Sequence, residues 1–289
     1  MKQLLILSGK GGTGKTTTAS AFIHFASPDA YADCDVDAPN LHLIHHPEGT
    51  LHTRDYYGSK KAYIDPEVCI RCGLCAEHCR FSSIVEKEGQ YSVDLIRCEG
   101  CGVCEAICPA HAVSLKDDQA GTMTLIQGEQ IFSTAQLKMG RGNSGKLVSE
   151  VKSEMMKNTG SGNLAIIDGS PGIGCPVISS ISGTDFILIV TEPSLSGLSD
   201  LKRIVQTAST FHTPCAVCVN KYDIHPQNTE MIRTYCQNNR IPFTGCIPFD
   251  PHVVQAVNQG QILAKTDCPA TVALYNIYLN VKQLMQEEE

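Results

Sequence analysis

Short apolar runs bounded by turn residues alternate along this chain with longer segments whose apolar positions repeat at helical spacing. Leu4-Leu5-Ile6-Leu7, Leu164-Ala165-Ile166-Ile167, Phe186-Ile187-Leu188-Ile189-Val190 and Ala216-Val217-Cys218-Val219 are continuous rather than alternating, the pattern of strands buried on both faces. Ala30-Tyr31-Ala32 predicts a shorter strand of the same kind, and 50–63 is weakly strand-like. Helices are predicted over 16–25, 146–157 and 197–209. From Ala270, the positions Leu274, Ile277, Tyr278, Val281, Leu284 and Met285 form a stripe that docks a last helix on the core. Met123-Thr124-Leu125-Ile126 and Gln130-Ile131-Phe132 flank Gly128 and predict a hairpin. Strands alternating with helices in this way predict an α/β fold with a doubly wound, mostly parallel sheet.

Composition adds a boundary and an anomaly. At 289 residues the chain makes one large domain or two smaller ones, and 42% hydrophobic with 18% charged residues describes an ordinary soluble protein. The first apolar run is too short for a signal peptide, and no window reaches the length of a membrane span. A formal charge of −7 leaves no basic footprint for nucleic acid. The acidic end Glu287-Glu288-Glu289 argues against a basic amphipathic membrane anchor. Fifteen cysteines are the outlier. Beside a nucleotide-binding loop they point to the reducing cytoplasm and to metal rather than disulfides.

That loop follows the first apolar run directly: Ser8-Gly9-Lys10-Gly11-Gly12-Thr13-Gly14-Lys15-Thr16-Thr17-Thr18. Gly9 to Thr16 fits G-x-x-x-x-G-K-[ST] between a strand and a helix, the setting a phosphate loop requires. The glycines let the N–H groups from Gly11 through Thr17 curl towards phosphate oxygens at a helix N-terminus. Lys15 is placed for the β/γ-phosphates and Thr16 for Mg²⁺. Asp168, delivered by an apolar strand, has the Walker B arrangement on the Mg²⁺ water shell. Asp33, Asp35 and Asp37 stand at alternate positions after another strand and require a cation or donors nearby. His42, His45 and His46 lack a matching ligand and read as a polar loop. The pattern does not account for Lys10.

Gly9-Lys10-Gly11-Gly12-Thr13-Gly14-Lys15-Thr16-Thr17 resembles the deviant phosphate loop of the MinD/ParA/Mrp ATPases, a group that includes the nitrogenase iron protein. The resemblance implies a homo- or heterodimer of related chains in which Lys10 crosses the interface to the partner's nucleotide. It implies that Asp35, second in a D-x-D pair of switch I, orients the attacking water or holds the metal's waters. Asp168-Gly169-Ser170-Pro171-Gly172 resembles switch II. In the same family the position of Asn220 meets the adenine ring, and Ile247-Pro248-Phe249-Asp250-Pro251 resembles the adenine-side loop, with Pro248 and Phe249 flanking the base beside Asp250.

Between the two switches lie Cys69, Cys72, Cys75 and Cys79, in the spacing C-x₂-C-x₂-C-x₃-C, and Cys98, Cys101, Cys104 and Cys108 repeat it 29 residues later. This is the run of bacterial two-cluster ferredoxins, in which the fourth cysteine ligates the other cluster. It assigns Cys69, Cys72, Cys75 and Cys108 to one [4Fe–4S] cluster and Cys98, Cys101, Cys104 and Cys79 to the second. Pro109 follows the second run as the pattern expects, whereas Arg80 stands where the first would carry proline. The expected domains are an ATPase part over 1–60, an inserted α+β ferredoxin-like part over 61–118 and the rest of the ATPase over 119–289. Cys175 reads as a small residue at a helix start, and Cys215 and Cys218 as core cysteines of a strand; an interface cluster is the alternative for each. The 138–146 stretch reads as a flexible lead into a helix capped by Asn143 or Ser144.

The expected function is Mg-ATP hydrolysis, with ATP and ADP as ligands, coupled by switch movement to electron transfer through two [4Fe–4S] clusters to a redox partner with a complementary basic patch. The rival is an ATP-dependent assembly factor that hands a cluster or metal cofactor to an acceptor protein. A purely positional ATPase leaves eight cysteines without purpose.

Overall fold

The fold is built outward from its first apolar run. In a computed structural model that describes residues 1–287, the chain begins β1 (Lys2–Leu7), α1 (Lys15–Ala26), β2 (Ala30–Asp33), α2 (His42–His45), β3 (Thr50–Tyr57). It continues β4 (Lys61–Ile64), α3 (Leu74–Glu77), β5 (Ile84–Lys87), β6 (Gln90–Val93), α4 (Val103–Ala106), β7 (Val113–Lys116), β8 (Gln119–Gln127), β9 (Ile131–Leu137). The remainder is α5 (Ser144–Asn158), β10 (Leu164–Asp168), α6 (Cys175–Ile181), β11 (Phe186–Thr191), α7 (Leu195–Thr210), β12 (Cys215–Asn220), α8 (Pro226–Asn238), β13 (Phe243–Ile247), α9 (Pro251–Asn258) and α10 (Pro269–Glu287). Of the acidic end, Glu288 and Glu289 lie outside the described residues.

Two units divide these elements. The larger holds Met1–Thr53, Met123–Gln136 and the chain from Ser144, and the smaller holds Arg54–Thr122 with Leu137–Asn143. The smaller unit thus takes in 54–60, 119–122 and 137–143 besides 61–118. Backbone and side-chain bonds explain the extra pieces: Lys138 N–H donates to Ala120 O, and Asn143 Nδ2 donates to Ser59 Oγ. The 138–143 stretch is therefore tied to the unit, and the Asn143 amide is used there.

Nine strands form one sheet in the order β13-β12-β11-β1-β10-β2-β9-β8-β3. All pairings from β13 through β9 are parallel. β1 sits between β10 and β11, with Leu4, Leu5, Ile6 and Leu7 all buried, as a strand covered on both faces must be. One face packs Leu4, Ile6, Tyr31 and Phe132 against α1 and α10, where Phe22 and Tyr278 meet edge to face at 5.4 Å. The predicted stripe of α10 supplies Leu274, Ile277, Val281 and Met285 to this core. Strand order reverses beside β1, so the crevice beyond the carboxyl ends of these strands is where a parallel α/β sheet takes a ligand. One expectation fails here: the histidine stretch is the short helix α2 rather than a loop. Burial of Leu41 and Ile44 turns it inward, while the His45 and His46 rings go to the carbonyls of Ser20 and Gly260.

The smaller unit is internally repetitive. β4 pairs antiparallel with β7, and β5 with β6 across a two-residue turn, Glu88-Gly89, at positive φ of 53° and 73°. α3 and α4 each follow a glycine at positive φ, Gly73 and Gly102. Its core is small: Ala62, Ile64, Ile84 and Val113 with Cys75 and Cys98. A core of that size is characteristic of domains that need a metal or a crosslink for stability.

Candidate functional site

The loop after β1 enters α1 through Gly14, whose φ of 92° is a left-handed conformation; no side chain caps the helix, so its first N–H groups are left open. A Cβ on Gly14 would also lie 2.3 Å from Asn220 Nδ2. Asn220, at the end of β12, donates from Nδ2 to Thr13 O at 2.8 Å and accepts from Lys221 N–H, so its amide clamps the loop.

Three carboxylates converge on this loop. Asp168, fully buried at the end of β10, pairs with Lys15 Nζ at 2.5 Å and accepts from Thr16 Oγ1 at 2.6 Å. Asp33 is its neighbour in the β2–β10 register and is also fully buried. Backbone N–H groups of Asp35, Asn40 and Leu41 donate to Asp33 at 2.9–3.0 Å and fold the following segment into a compact turn. Asp35 then lines the loop's cavity with Lys10, Lys15, Thr16 and Pro171. Burial, then the Asp168 charge, pushes the Asp33 carboxyl up to about 7, and burial raises Asp35 against the pull of Lys15. Burial alone would lower the Lys15 ammonium, but Asp168, Asp33 and Asp35 together hold it above the ordinary lysine value.

Lys10 is not unpartnered. Its Nζ lies 3.3 Å from Glu192 Oε2, and Lys221 Nζ lies 2.8 Å from Glu192 Oε1. Burial disfavours the Glu192 charge, but hydrogen bonds and attraction from Lys221 and Lys10 hold its carboxyl below the usual range. Glu192, the acid just past β11, and Asp33, the anchor of the turn, are the site residues that motif reading does not single out. For the first the sequence carries no signal beyond an acid at a strand end, since Lys10 and Lys221 lie far from it along the chain. For the second the signal is an aspartate that closes a buried strand.

A neighbouring pocket is lined by Gly12, Gly14, Thr17, Asn220, Ile247, Val253 and Leu274. Asn220 is thus brought to it. Phe249 is half-exposed, and its N–H donates to Asp223. Asp250 is buried and committed elsewhere: its carboxylate caps α9 through His252 N–H and receives Ala270 N–H. These bonds hold the Asp250 carboxyl at about 2 against the effect of burial.

In the smaller unit, Cys69, Cys72, Cys75 and Cys108 line one pocket, so the last cysteine of the second run joins the first three of the first. Cys104 lies within electrostatic reach of Cys98 and Cys101, and Cys79 shares one apolar cluster with Cys98 and Cys104 as well as with Cys69, Cys75 and Cys108. Backbone N–H groups of Ala62, Ser83 and Ala112 donate to the sulfurs of Cys98, Cys79 and Cys108 at 3.3–3.5 Å. Among the described residues no three His, Cys, Asp or Glu side chains converge as a single metal ion would need. Cys175 is exposed at the start of α6; Cys215 is half-buried and Cys218 buried in β12, where burial pushes both thiols up.

The sheet order, the loop on β1 and the acid on β10 define a P-loop nucleotide-binding protein. Residues 4–263 match the family described as the CobQ/CobB/MinD/ParA nucleotide binding domain, and the chain belongs to that family of ATP-binding MinD/ParA-like ATPases. An uncharacterized protein of Methanocaldococcus jannaschii is 30% identical, with 98% of this chain and 97% of that protein covered. The septum site-determining protein MinD of Pyrococcus horikoshii, solved with Mg-ADP, shares the fold at 16% identity and a TM-score of 0.57 over 100% of this chain and 98% of its own. A 7Fe ferredoxin of Hydrogenibacillus schlegelii is 41% identical over 58 residues, 19% of this chain and 74% of the ferredoxin. No helix is long and apolar enough to cross a membrane among the described residues.

Proposed function

We propose that this ATPase couples its nucleotide state to one-electron transfer through two [4Fe–4S] clusters, from a low-potential electron donor to a partner protein. The observation that carries the reading is the pocket shared by Cys69, Cys72, Cys75 and Cys108, in a chain whose nucleotide loop faces its own Asp35 and Asp168. Four thiolates spread round a pocket suit a cage of several metal atoms, and donors to sulfur with a small apolar core are what such a cage requires. When bound, the clusters supply reversible one-electron chemistry.

The remaining roles belong to the chain's own side chains. Lys15 exchanges Asp168 for the β/γ-phosphates, which leaves Asp168 and Thr16 for the Mg²⁺ shell. Asp35 orients the attacking water, and the turn anchored on Asp33 fixes where it sits. Gly11, Gly12, Thr13, Gly14 and Thr17 present backbone donors. Lys10 leaves Glu192 to reach the nucleotide of a second chain. Asn220 borders the base pocket, and Asp250 shapes the rim that carries Pro248 and Phe249 by capping α9.

The test measures electron transfer from the reduced, iron-loaded chain to an acceptor with ATP, with ADP and without nucleotide. The proposal expects a rate that depends on which nucleotide is bound, and equal rates in all three conditions refute it. Exposure of Cys72 and Cys101 favours a second reading, transfer of a cluster to an apo-acceptor. Iron retained in full after mixing with apo-acceptor excludes that reading.

A further inference from the structure

Lys61 opens β4 and is buried, at 8% exposure, in the core of the smaller unit. Its Nζ donates to Cys98 O, and the next N–H, that of Ala62, donates to Cys98 Sγ. No carboxylate pairs with it among the described residues. A buried ammonium without a counter-charge is unfavourable, so an anion is expected beside it. The 29-residue repeat sharpens the point. Its counterpart at the start of β6 is Gln90, which is exposed and neutral. Beside the first pocket, Tyr91 stands over Gly73 and donates its hydroxyl to Glu86 at 3.3 Å. One half of the unit thus carries a buried cation at its cysteines, and the other a tyrosine leaning on a carboxylate.

Resting on the iron–sulfur reading above, we infer that Lys61 sets the order in which the clusters take an electron: the one held by Cys98, Cys101, Cys104 and Cys79 is reduced first. One-electron reduction of a [4Fe–4S]²⁺ core to the 1+ state adds one negative charge, with no bond made and no proton moved. Lys61 offsets that charge at the second site, and Gln90 does not at the first. Lys61 is a positioning residue for the electron.

The experiment is a potentiometric titration of the iron-loaded full chain with dithionite, followed by electron paramagnetic resonance. The native chain should show two reduction steps. Lys61→Met should move the higher step down by at least a tenfold change in electron partition, 59 mV for a one-electron couple. Lys61→Arg should keep it in place. A Lys61→Met chain that holds its full iron with the higher step unmoved, or with only the lower step moved, overturns the inference. A second measurement does not depend on that variant folding: Cys101→Ser should alter the signal of the first-reduced step and Cys72→Ser that of the second, and the reverse assignment also overturns it. A native chain that binds no iron refutes the iron–sulfur reading itself, which the iron analysis shows before any titration.

Discussion

Removing Lys15 should cost this protein more stability than removing its ion-pair partner. In the nucleotide-free chain Lys15 is buried at 6% exposure, pairs directly with Asp168 and also feels Asp33 and Asp35. Lys15→Met fills the same space but leaves three carboxylates around an apolar side chain. Breaking a buried pair from one side costs about 3–5 kcal/mol. Asp168→Asn keeps an acceptor for Lys15 and Thr16, leaves Lys15 with Asp33 and Asp35, and ends the Asp168–Asp33 repulsion. Its cost should stay within about 1–3 kcal/mol, that of an imperfectly satisfied buried group. At roughly 2–4 °C per kcal/mol, the Lys15→Met midpoint should fall by about 6–20 °C, and that of Asp168→Asn by visibly less.

The assay is thermal and urea unfolding by circular dichroism without nucleotide, at two pH values. A carboxyl whose folded pKa lies above its unfolded value binds its proton more tightly in the folded state, so its stabilising effect is complete below the unfolded value and lost as pH rises through the folded one. Asp33, raised to about 7, therefore weighs on the fold as pH climbs from about 4 through 7. Without Lys15 that weight grows, so the Lys15→Met deficit should be larger at pH 8 than at pH 6. Equal costs for the two variants, or a Lys15→Met deficit that shrinks with rising pH, would refute the assignment of Lys15 as the shared counter-charge.

Three further outcomes are expected. Asp35→Ala should still bind ATP by equilibrium dialysis while losing hydrolysis by about 10²–10⁴-fold, the span of a lost proton acceptor or water-orienting group. Gly14→Ala should abolish ATP binding in the same assay, because φ of 92° strains an L side chain by about 1–3 kcal/mol and its Cβ would strike Asn220 Nδ2. Iron analysis of the anaerobically purified chain should give about eight Fe per chain, and Cys108→Ser should lose iron from the pocket of Cys69, Cys72 and Cys75 rather than from the set of Cys98, Cys101, Cys104 and Cys79.

Contiguity decides what the sequence makes legible. The phosphate loop, the acid after each buried strand and the cysteine spacings are local rules, so Lys15, Thr16, Asp35, Asp168 and the pocket partner Cys108 can be named without a fold. Asp33 stands in plain view among three acidic residues, but its burial follows only from the register of β2 on β10. Glu192 becomes part of the site because β11 lies beside β1 and delivers it to Lys10. The polar letters of 42–46 hide a helical turn because two apolar neighbours, Leu41 and Ile44, outweigh them. Lys61 reads as one more lysine ahead of a strand, and only its packing against Cys98 distinguishes it.

The exchange of Cys108 into the first pocket also bears on inheritance. A repeat whose halves each enclosed their own cysteines could be shortened, duplicated or fused elsewhere one half at a time. Here a deletion of the second half would take Cys108 from the pocket of Cys69, Cys72 and Cys75, so the first half cannot complete its own set of four thiols.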